Sequence, residues 1–273
     1  MPKITEFVND AAKNLWDHDV NPVSENAVST GHKELDQRLG GLERGEVYLL
    51  GGVSGIGTTA LAVDITYKIA VKANGRVFYH TNQSTASDLT KRLICLTAKI
   101  QWNKNEAGPE DEEQISEVVK QLSEADVFIS DKRRKRTDEL LESEHFPNTD
   151  CNLDLIVIDR LDGMYDAGTS DEMLWMCKYL AKEYNCPILV VTELEWMENP
   201  RAQDYRPSME CFRALAVSKY VDTFMALYRD EFFESKDCIK GMAELHILKS
   251  KYCNPHIINL VFLEEYGAFV DCA

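Results

Sequence analysis

The chain contains no apolar run near the ~20 residues needed to cross a bilayer, so no stretch of it reads as a membrane span. Its opening residues, Met1-Pro2-Lys3-Ile4-Thr5-Glu6, lack the apolar stretch of a secretory leader. Both absences predict an intracellular, cytoplasmic protein with no membrane partner. The eight cysteines include no Cys-x-x-Cys pair, and several, such as Cys177, fall in apolar segments. That pattern predicts reduced thiols rather than a disulfide or zinc framework. Basic residues are also short: 30 Lys and Arg stand against 46 Asp and Glu, a formal charge of −16. Proteins that grip nucleic acid over a broad surface draw most of their non-specific affinity from phosphate contacts. A chain-wide nucleic-acid surface is therefore disfavoured, and any such contact falls to a local loop. The six histidines show no metal-ligand spacing, and no Ser/His/Asp or Cys/His set can be argued from spacing.

What the sequence does contain centres on one stretch. The apolar run Val47-Tyr48-Leu49-Leu50 leads into Gly51-Gly52-Val53-Ser54-Gly55-Ile56-Gly57-Thr58-Thr59, and a helical pattern follows from Thr59 to Ala73. Backbone N–H groups in a strand–glycine loop–helix unit converge at a helix N-terminus, which suits a phosphate. The phosphate-loop pattern is Gly, four residues, Gly, Lys, then Ser or Thr. Gly52 and Gly57 fit it, and Thr59 supplies the hydroxyl for a magnesium ion. Thr58 stands where the lysine belongs. The candidate nucleotide-binding set is Gly52, Ser54, Gly55, Gly57, Thr58, Thr59 and Asp159. The last of these closes the buried strand Ile156-Val157-Ile158-Asp159, and with Thr59 it would orient magnesium.

With 273 residues and 44% hydrophobic content, the chain fits one large α/β domain. Residues 1–28 read as an amphipathic helix, Ile4 to Trp16, followed by a polar linker; residues 29–273 form the core. The helix either lies on its own domain or docks on a neighbouring subunit. Strands begin at Glu46, Gly75, Ala125, Leu153, Cys186 and Asp222. Helices are predicted over Thr59 to Ala73, Ser87 to Ile100, Ile115 to Leu122, Ser170 to Tyr184 and Met209 to Tyr220, with an acidic loop at Ala107 to Glu113. This alternation predicts a mostly parallel central sheet flanked by helices. The closely spaced segments Met242 to Leu248, His256 to Phe262 and Ala268 to Val270 predict antiparallel strands at the C-terminal edge. Trp175, Met176 and Tyr179, like Phe224, Met225 and Leu227, read as core. His80 reads as a strand residue with a satisfied ring.

The segment Ser29-Thr30-Gly31-x-x-x-Leu35-Asp36-x-x-Leu39-Gly40-Gly41-Leu42-x-x-Gly45-Glu46 resembles the entry to RecA-like P-loop NTPase cores of the DnaB, RadA and KaiC groups. Leu155-Ile156-Val157-Ile158-Asp159-x-Leu161 is similar to the second nucleotide motif of DnaB-type replicative helicases. Tyr228-Arg229-Asp230-Glu231 and Lys240-Gly241-Met242-Ala243-Glu244-Leu245 follow the same family, as do Ile247-x-Lys249-x-Lys251 and Gly267-x-Phe269. The resemblance spans about Ser29 to Ala273. It places the helix at Ile4 to Trp16 where that family has a linker helix packed on the next subunit of a ring. It implies ATP or ADP with magnesium as ligand. As partners it implies further copies in a homo-oligomer, a helicase or replication protein, and single-stranded DNA.

Carried over residue by residue, the resemblance puts the family's catalytic glutamate near Asn82, its glutamine sensor at Glu193 and its trans-acting arginine at Lys251. An amide at position 82 cannot take a proton from water, and Lys251 lacks the planar fork of arginine. Thr59 and Asp159, the metal-side pair, are kept. The resulting expectation is a helicase-related core in DNA replication with a degraded site, weak or inactive in ATP hydrolysis, acting by self-assembly or by binding a helicase or its loader. Two alternatives stand beside it: a divergent but active DNA-dependent ATPase or helicase, and a nucleotide-responsive binding module without turnover. The dense basic run Lys132-Arg133-Arg134-Lys135-Arg136, with Arg201 and Arg206 in a channel-loop region, is the candidate nucleic-acid contact. The same run can equally serve as a solvated loop or touch an acidic partner.

Overall fold

The computed structural model describes residues 22–101, 109–131, 151–161, 170–194, 205–209, 219–233 and 239–272. Chain order begins with the short strand β1 (Ala27–Val28), helix α1 (Lys33–Leu39) and strand β2 (Leu42–Glu43). Strand β3 (Val47–Gly52), helix α2 (Thr58–Tyr67), strand β4 (Val77–Thr81) and helix α3 (Ala86–Ala98) follow. Then come helix α4 (Pro109–Ser123), strands β5 (Val127–Ser130) and β6 (Leu155–Asp159), helix α5 (Ser170–Glu183) and strand β7 (Ile188–Glu193). Strands β8 (Thr223–Tyr228), β9 (Met242–Ser250), β10 (His256–Leu263) and β11 (Ala268–Asp271) complete the order.

Nine strands form one sheet in the order β11-β10-β9-β8-β3-β7-β6-β4-β5, and β1 pairs with β2 apart from it. From β8 through β5 every pairing is parallel; β8–β9, β9–β10 and β10–β11 are antiparallel. Each of β3, β4, β6 and β8 is buried along its whole length. Helices on both faces explain this, since a parallel sheet reached through crossovers is covered twice. The period-two alternation of a strand divides β3 between two cores. Tyr48 and Leu50 join a layer under α1, α2 and α3, where they meet Leu61, Ile65 and Leu89. Val47 and Leu49 face the opposite layer with Leu174, Cys177 and Leu180 of α5.

The parallel core and its antiparallel edge agree with the sequence reading, and three details differ. The helical pattern expected over 59–73 is regular only to Tyr67 and continues as a π-type turn, Lys68–Lys72. The segment taken as an acidic loop at 107–113 enters α4 at Pro109, a residue whose fixed φ suits a first helical position. Trp175 and Tyr179 are not core: each is 47% exposed, and their rings stack at 6.1 Å on the outer face of α5. Phe224, Met225 and Leu227 are buried as expected. The helix at Ile4 to Trp16, most of that expected over 209–220, and the basic run Lys132 to Arg136 lie outside the described residues. Among the described residues no helix is long and apolar enough to cross a membrane.

Candidate nucleotide site

Strand β3 is central, and the glycine loop leaves its C-terminal end. Gly52 must be bare, because a Cβ there would lie 2.6 Å from Ile56 Cγ2 and 2.9 Å from Thr58 Cγ2 of the returning loop. Gly57 takes φ 114° and serves as the N-cap of α2, a left-handed conformation that glycine adopts without steric cost. No side chain caps α2, and its first turn holds no acidic residue. The positive end of the helix dipole and its unsatisfied N–H groups are therefore presented to the loop's concavity.

Strand β6 brings Asp159 behind this loop. Thr59 Oγ1 donates to Asp159 Oδ1 at 3.1 Å, and the Tyr79 hydroxyl donates to Asp159 Oδ2 at 2.8 Å. Asp159 is almost fully buried. Burial pushes its carboxyl above the usual range, and the hydrogen bonds from Tyr79 and Thr59 oppose that shift. A hydroxyl and a carboxylate in contact at the base of a phosphate loop are hard oxygen donors, the type that magnesium takes. The pair fits a magnesium–nucleotide, which Thr59 and Asp159 would hold.

In front of the loop lies a cleft of about 230 Å³, walled by the loop itself and by Gln83, Arg92, Arg160, Glu193 and Phe262. Arg160 Nη2 donates to Glu193 Oε2 in an ion pair at its floor. The Asp159–Arg160 peptide is cis. A second hollow of about 300 Å³ adjoins the cleft, lined by Gly55, Arg92, Arg229, Phe232, Phe262 and Tyr266. There the Arg229 guanidinium stands 4.3 Å from the Phe262 ring centre and 4.9 Å from that of Phe232. Arg229 Nη1 also donates to the Ile56 carbonyl at 3.2 Å, tying this hollow to the phosphate loop. The first hollow is lined by the phosphate loop and two arginines; the second adds the Phe232, Phe262 and Tyr266 rings together with Arg229 and Glu264.

The expected residues divide accordingly. Gly52, Ser54, Gly55, Gly57, Thr58, Thr59 and Glu193 all line the cleft. Asn82 does not: it is 7% exposed, its Oδ1 accepts from His80 Nε2 at 3.1 Å, and its Nδ2 donates to the Arg160 carbonyl at 3.2 Å. The residue that reaches the cleft after β4 is Gln83. The His80 ring is indeed satisfied, by Asn82 and by Ser130 Oγ at 3.3 Å. Lys251 lies at the far end of β3, its Nζ 2.8 Å from Glu46 Oε1, while Lys249 donates to the Val221 carbonyl at 2.8 Å. Arg206 is held by both carboxylate oxygens of Glu244, at 2.7 and 2.9 Å, so its guanidinium is committed within the chain. The Arg206 and His246 hydrogen bonds hold the Glu244 carboxyl at about 2, outweighing the burial that would raise it. Lys132, Arg133, Arg134, Lys135, Arg136 and Arg201 fall outside the described residues.

Sequence reasoning missed Gln83, Arg92 and Arg160 as cleft residues and Arg229 as a residue of the adjoining hollow. Arg92 stands three residues after Leu89 and four before Leu96, on the flank of the core-facing stripe of its helix, so periodicity alone reads it as part of that face.

A mostly parallel sheet with the glycine loop after its central strand, and the loop's Thr59 against the acid that ends β6, defines a P-loop core of the RecA-like type. Residues 27–271 match the family model described as DnaB-like helicase C terminal domain, and the chain belongs to that family. It is 27% identical over 256 residues to replicative DNA helicase DnaB of Geobacillus stearothermophilus, covering 89% of this chain and 56% of that protein. It is 25% identical over 256 residues to replicative DNA helicase DnaC of Bacillus subtilis (strain 168), with the same two coverages. The chain thus spans about half the length of the curated relatives it matches. The fold is shared with a DnaB-like replicative helicase described with its interactions with primase, at a TM-score of 0.84 and 21% identity, over 100% of this chain and 68% of that one. The ATPase domain of G40P superposes with a TM-score of 0.82 at 20% identity, over 100% of both chains.

Proposed function

We propose that this chain is a nucleotide-binding, hydrolysis-poor core that works in DNA replication within a DnaB-type assembly, with further copies of itself or with a helicase or loader. The observation that carries this reading is a glycine loop whose Thr59 touches Asp159, beside residues at the lysine and water-activating positions that differ from the family's pattern. Gly52 and Gly57 shape the loop and Thr59 bonds Asp159, but the residue at the lysine position is Thr58 and the residue after β4 that faces the cleft is Gln83. In this reading the phosphates lie in the loop's N–H cradle and the base lies in the adjoining hollow against Phe262 and Arg229. Bound magnesium would neutralise phosphate charge; Thr59 and Asp159 are the side chains that hold it.

Turnover also needs a group that takes a proton from attacking water. The Gln83 amide cannot accept one, and loss of a general base typically lowers the rate about 10²–10⁴-fold. The same position offers no carboxylate to orient the water. ATP and ADP are thus bound and slowly exchanged rather than consumed, and the nucleotide sets how the subunit assembles. Single-stranded DNA, if bound, falls to the segments around Lys132 to Arg136 and Arg201 rather than to Arg206.

The second reading, a divergent but working DNA-dependent ATPase or helicase, is favoured by one observation: Arg92 and Arg160 both line the cleft and together replace the charge that Thr58 lacks. The experiment that separates the readings is thermal denaturation of the full chain with ATP or ADP, with and without magnesium, beside a phosphate-release assay with single-stranded DNA. A magnesium-dependent rise in melting temperature with release at background supports the proposal. DNA-stimulated release that disappears in Asp159→Asn supports the working enzyme. No shift at millimolar nucleotide removes both.

A further inference from the structure

Three features of the cleft belong together. Thr58 contributes no cation to the phosphate loop. Arg160, the residue after Asp159, turns its guanidinium into the cleft. Glu193 takes that guanidinium as its partner. Sheet register explains the meeting. Strands β6 and β7 are parallel neighbours with Asp159 level with Val191, and β7 ends at Glu193 level with Gly52 of β3. The Arg160 and Glu193 side chains therefore emerge at the same edge of the sheet, beside the loop.

We infer that Arg160 is the relocated phosphate-contacting cation of this site and that Glu193 is its counter-ion when no phosphate is present, so that a nucleoside triphosphate binds by displacing the Glu193 carboxylate from Arg160. This rests on the nucleotide reading given above. The guanidinium is the less exposed partner, at 12% of its side-chain surface against 34% for Glu193, so the carboxylate is the one with room to move toward solvent. A planar guanidinium forks onto a phosphate as readily as onto a carboxylate, and a triphosphate presents several negative charges where Glu193 presents one. The carboxylate must then leave, because two like charges in one cleft repel each other. Asn82 fixes the backbone from which Arg160 springs, through its 3.2 Å hydrogen bond to the Arg160 carbonyl. That bond gives the buried Asn82 a positioning task. Arg92 adds charge to the same cleft.

The exchange gives two variants opposite signs, which an ion pair of purely structural value cannot do. Binding of the non-hydrolysable β,γ-imido analogue of ATP with magnesium is measured by calorimetry on the full chain for wild type, Arg160→Ala, Arg160→Lys and Glu193→Gln. Removing the cation weakens binding about tenfold to a hundredfold, the size of one charge-assisted contact. Arg160→Lys falls between, since it keeps the charge and loses the fork. Glu193→Gln tightens binding severalfold, because it frees Arg160 and removes the opposing charge. If Arg160→Ala binds the analogue as wild type does, or if Glu193→Gln weakens binding as much as Arg160→Ala, the inference is overturned while the nucleotide reading stands. If wild type itself binds nothing at millimolar analogue, the nucleotide reading fails and the inference falls with it. Should Arg160→Ala prove insoluble, Arg160→Lys and Glu193→Gln still decide the matter through their opposite signs.

Discussion

Replacing Thr58 by lysine restores the one charge that the phosphate loop is missing, and the structure sets how much this achieves. Position 58 begins α2 and is half-buried at the cleft wall. A lysine chain from it enters a cleft of about 230 Å³ without disturbing the core. A charge-assisted contact to phosphate contributes about 1.5–3 kcal/mol. Fixing the lysine chain costs up to about 2 kcal/mol of rotamer entropy, and Arg92 and Arg160 already hold positive charge on the same walls. The expected net gain is about 1 kcal/mol, or roughly fivefold tighter ATP. Turnover by Thr58→Lys should nonetheless stay near background, because Gln83 still offers no base. Adding Gln83→Glu should then raise phosphate release about 10²–10⁴-fold. Calorimetry with ATP and magnesium, beside a phosphate-release assay on the single and double variants, gives both numbers. Brisk release by Thr58→Lys alone would refute the reasoning, since it would mean that the water-activating group was never lost.

Three further outcomes are expected. Asp159→Asn should raise the melting temperature of the nucleotide-free protein by roughly 2–4 °C, because burial disfavours the Asp159 charge, and it should abolish the magnesium-dependent shift; a lower melting temperature with the shift intact would count against the assigned role. His32 is buried, and burial would depress its ring pKa, but hydrogen bonds to Asp271 and Asp64 outweigh burial and the repulsion of Lys68, so the pKa is raised. A raised folded value means that its stabilisation is complete below the unfolded pKa of about 6.5 and fades as pH rises through the folded value. Melting temperature should therefore fall between pH 6 and pH 8 more steeply in wild type than in His32→Gln, and parallel slopes would sink the assignment. Arg206→Ala should lower stability by about 1 kcal/mol, through loss of its bond to the half-buried Glu244, and leave single-stranded DNA affinity unchanged; the reverse pattern in melting and filter-binding assays would restore Arg206 to a DNA-contacting role.

The fold was legible where a residue pattern had one physical solution. A four-residue apolar run before a glycine loop can only be a covered strand feeding a helix, and Val47–Gly52 is that strand. The close spacing of the last segments left no room for crossovers, and β9, β10 and β11 are antiparallel. The positions of Thr58 and Thr59 in the cleft wall follow from the loop's register, and that of Asp159 beside Thr59 from the end of its apolar strand. After β4 the residue that lines the cleft is Gln83, next to the expected Asn82. His80, Thr81 and Asn82 are all buried, so the chain turns outward only at Gln83, and alternation along a strand cannot say where it leaves the sheet. Arg160 was hidden for a different reason. Its partner Glu193 is 33 residues away, and only the adjacency of β6 and β7 brings the two together. Trp175 and Tyr179 carry apolar mass at helical spacing, but they lie one turn apart on the side of α5 that faces away from the sheet, opposite Leu174, Cys177 and Leu180.

In the proposed reading the cradle holds nucleotide while its chemistry is nearly silent. The most direct measurement takes one preparation of the full chain and records ATP binding with magnesium by calorimetry and phosphate release with and without single-stranded DNA. The expected result is saturable binding that needs Asp159, with release unchanged by DNA and within a few-fold of the Asp159→Asn background. Rapid DNA-stimulated release that Asp159→Asn abolishes, or no binding at millimolar ATP, would contradict it.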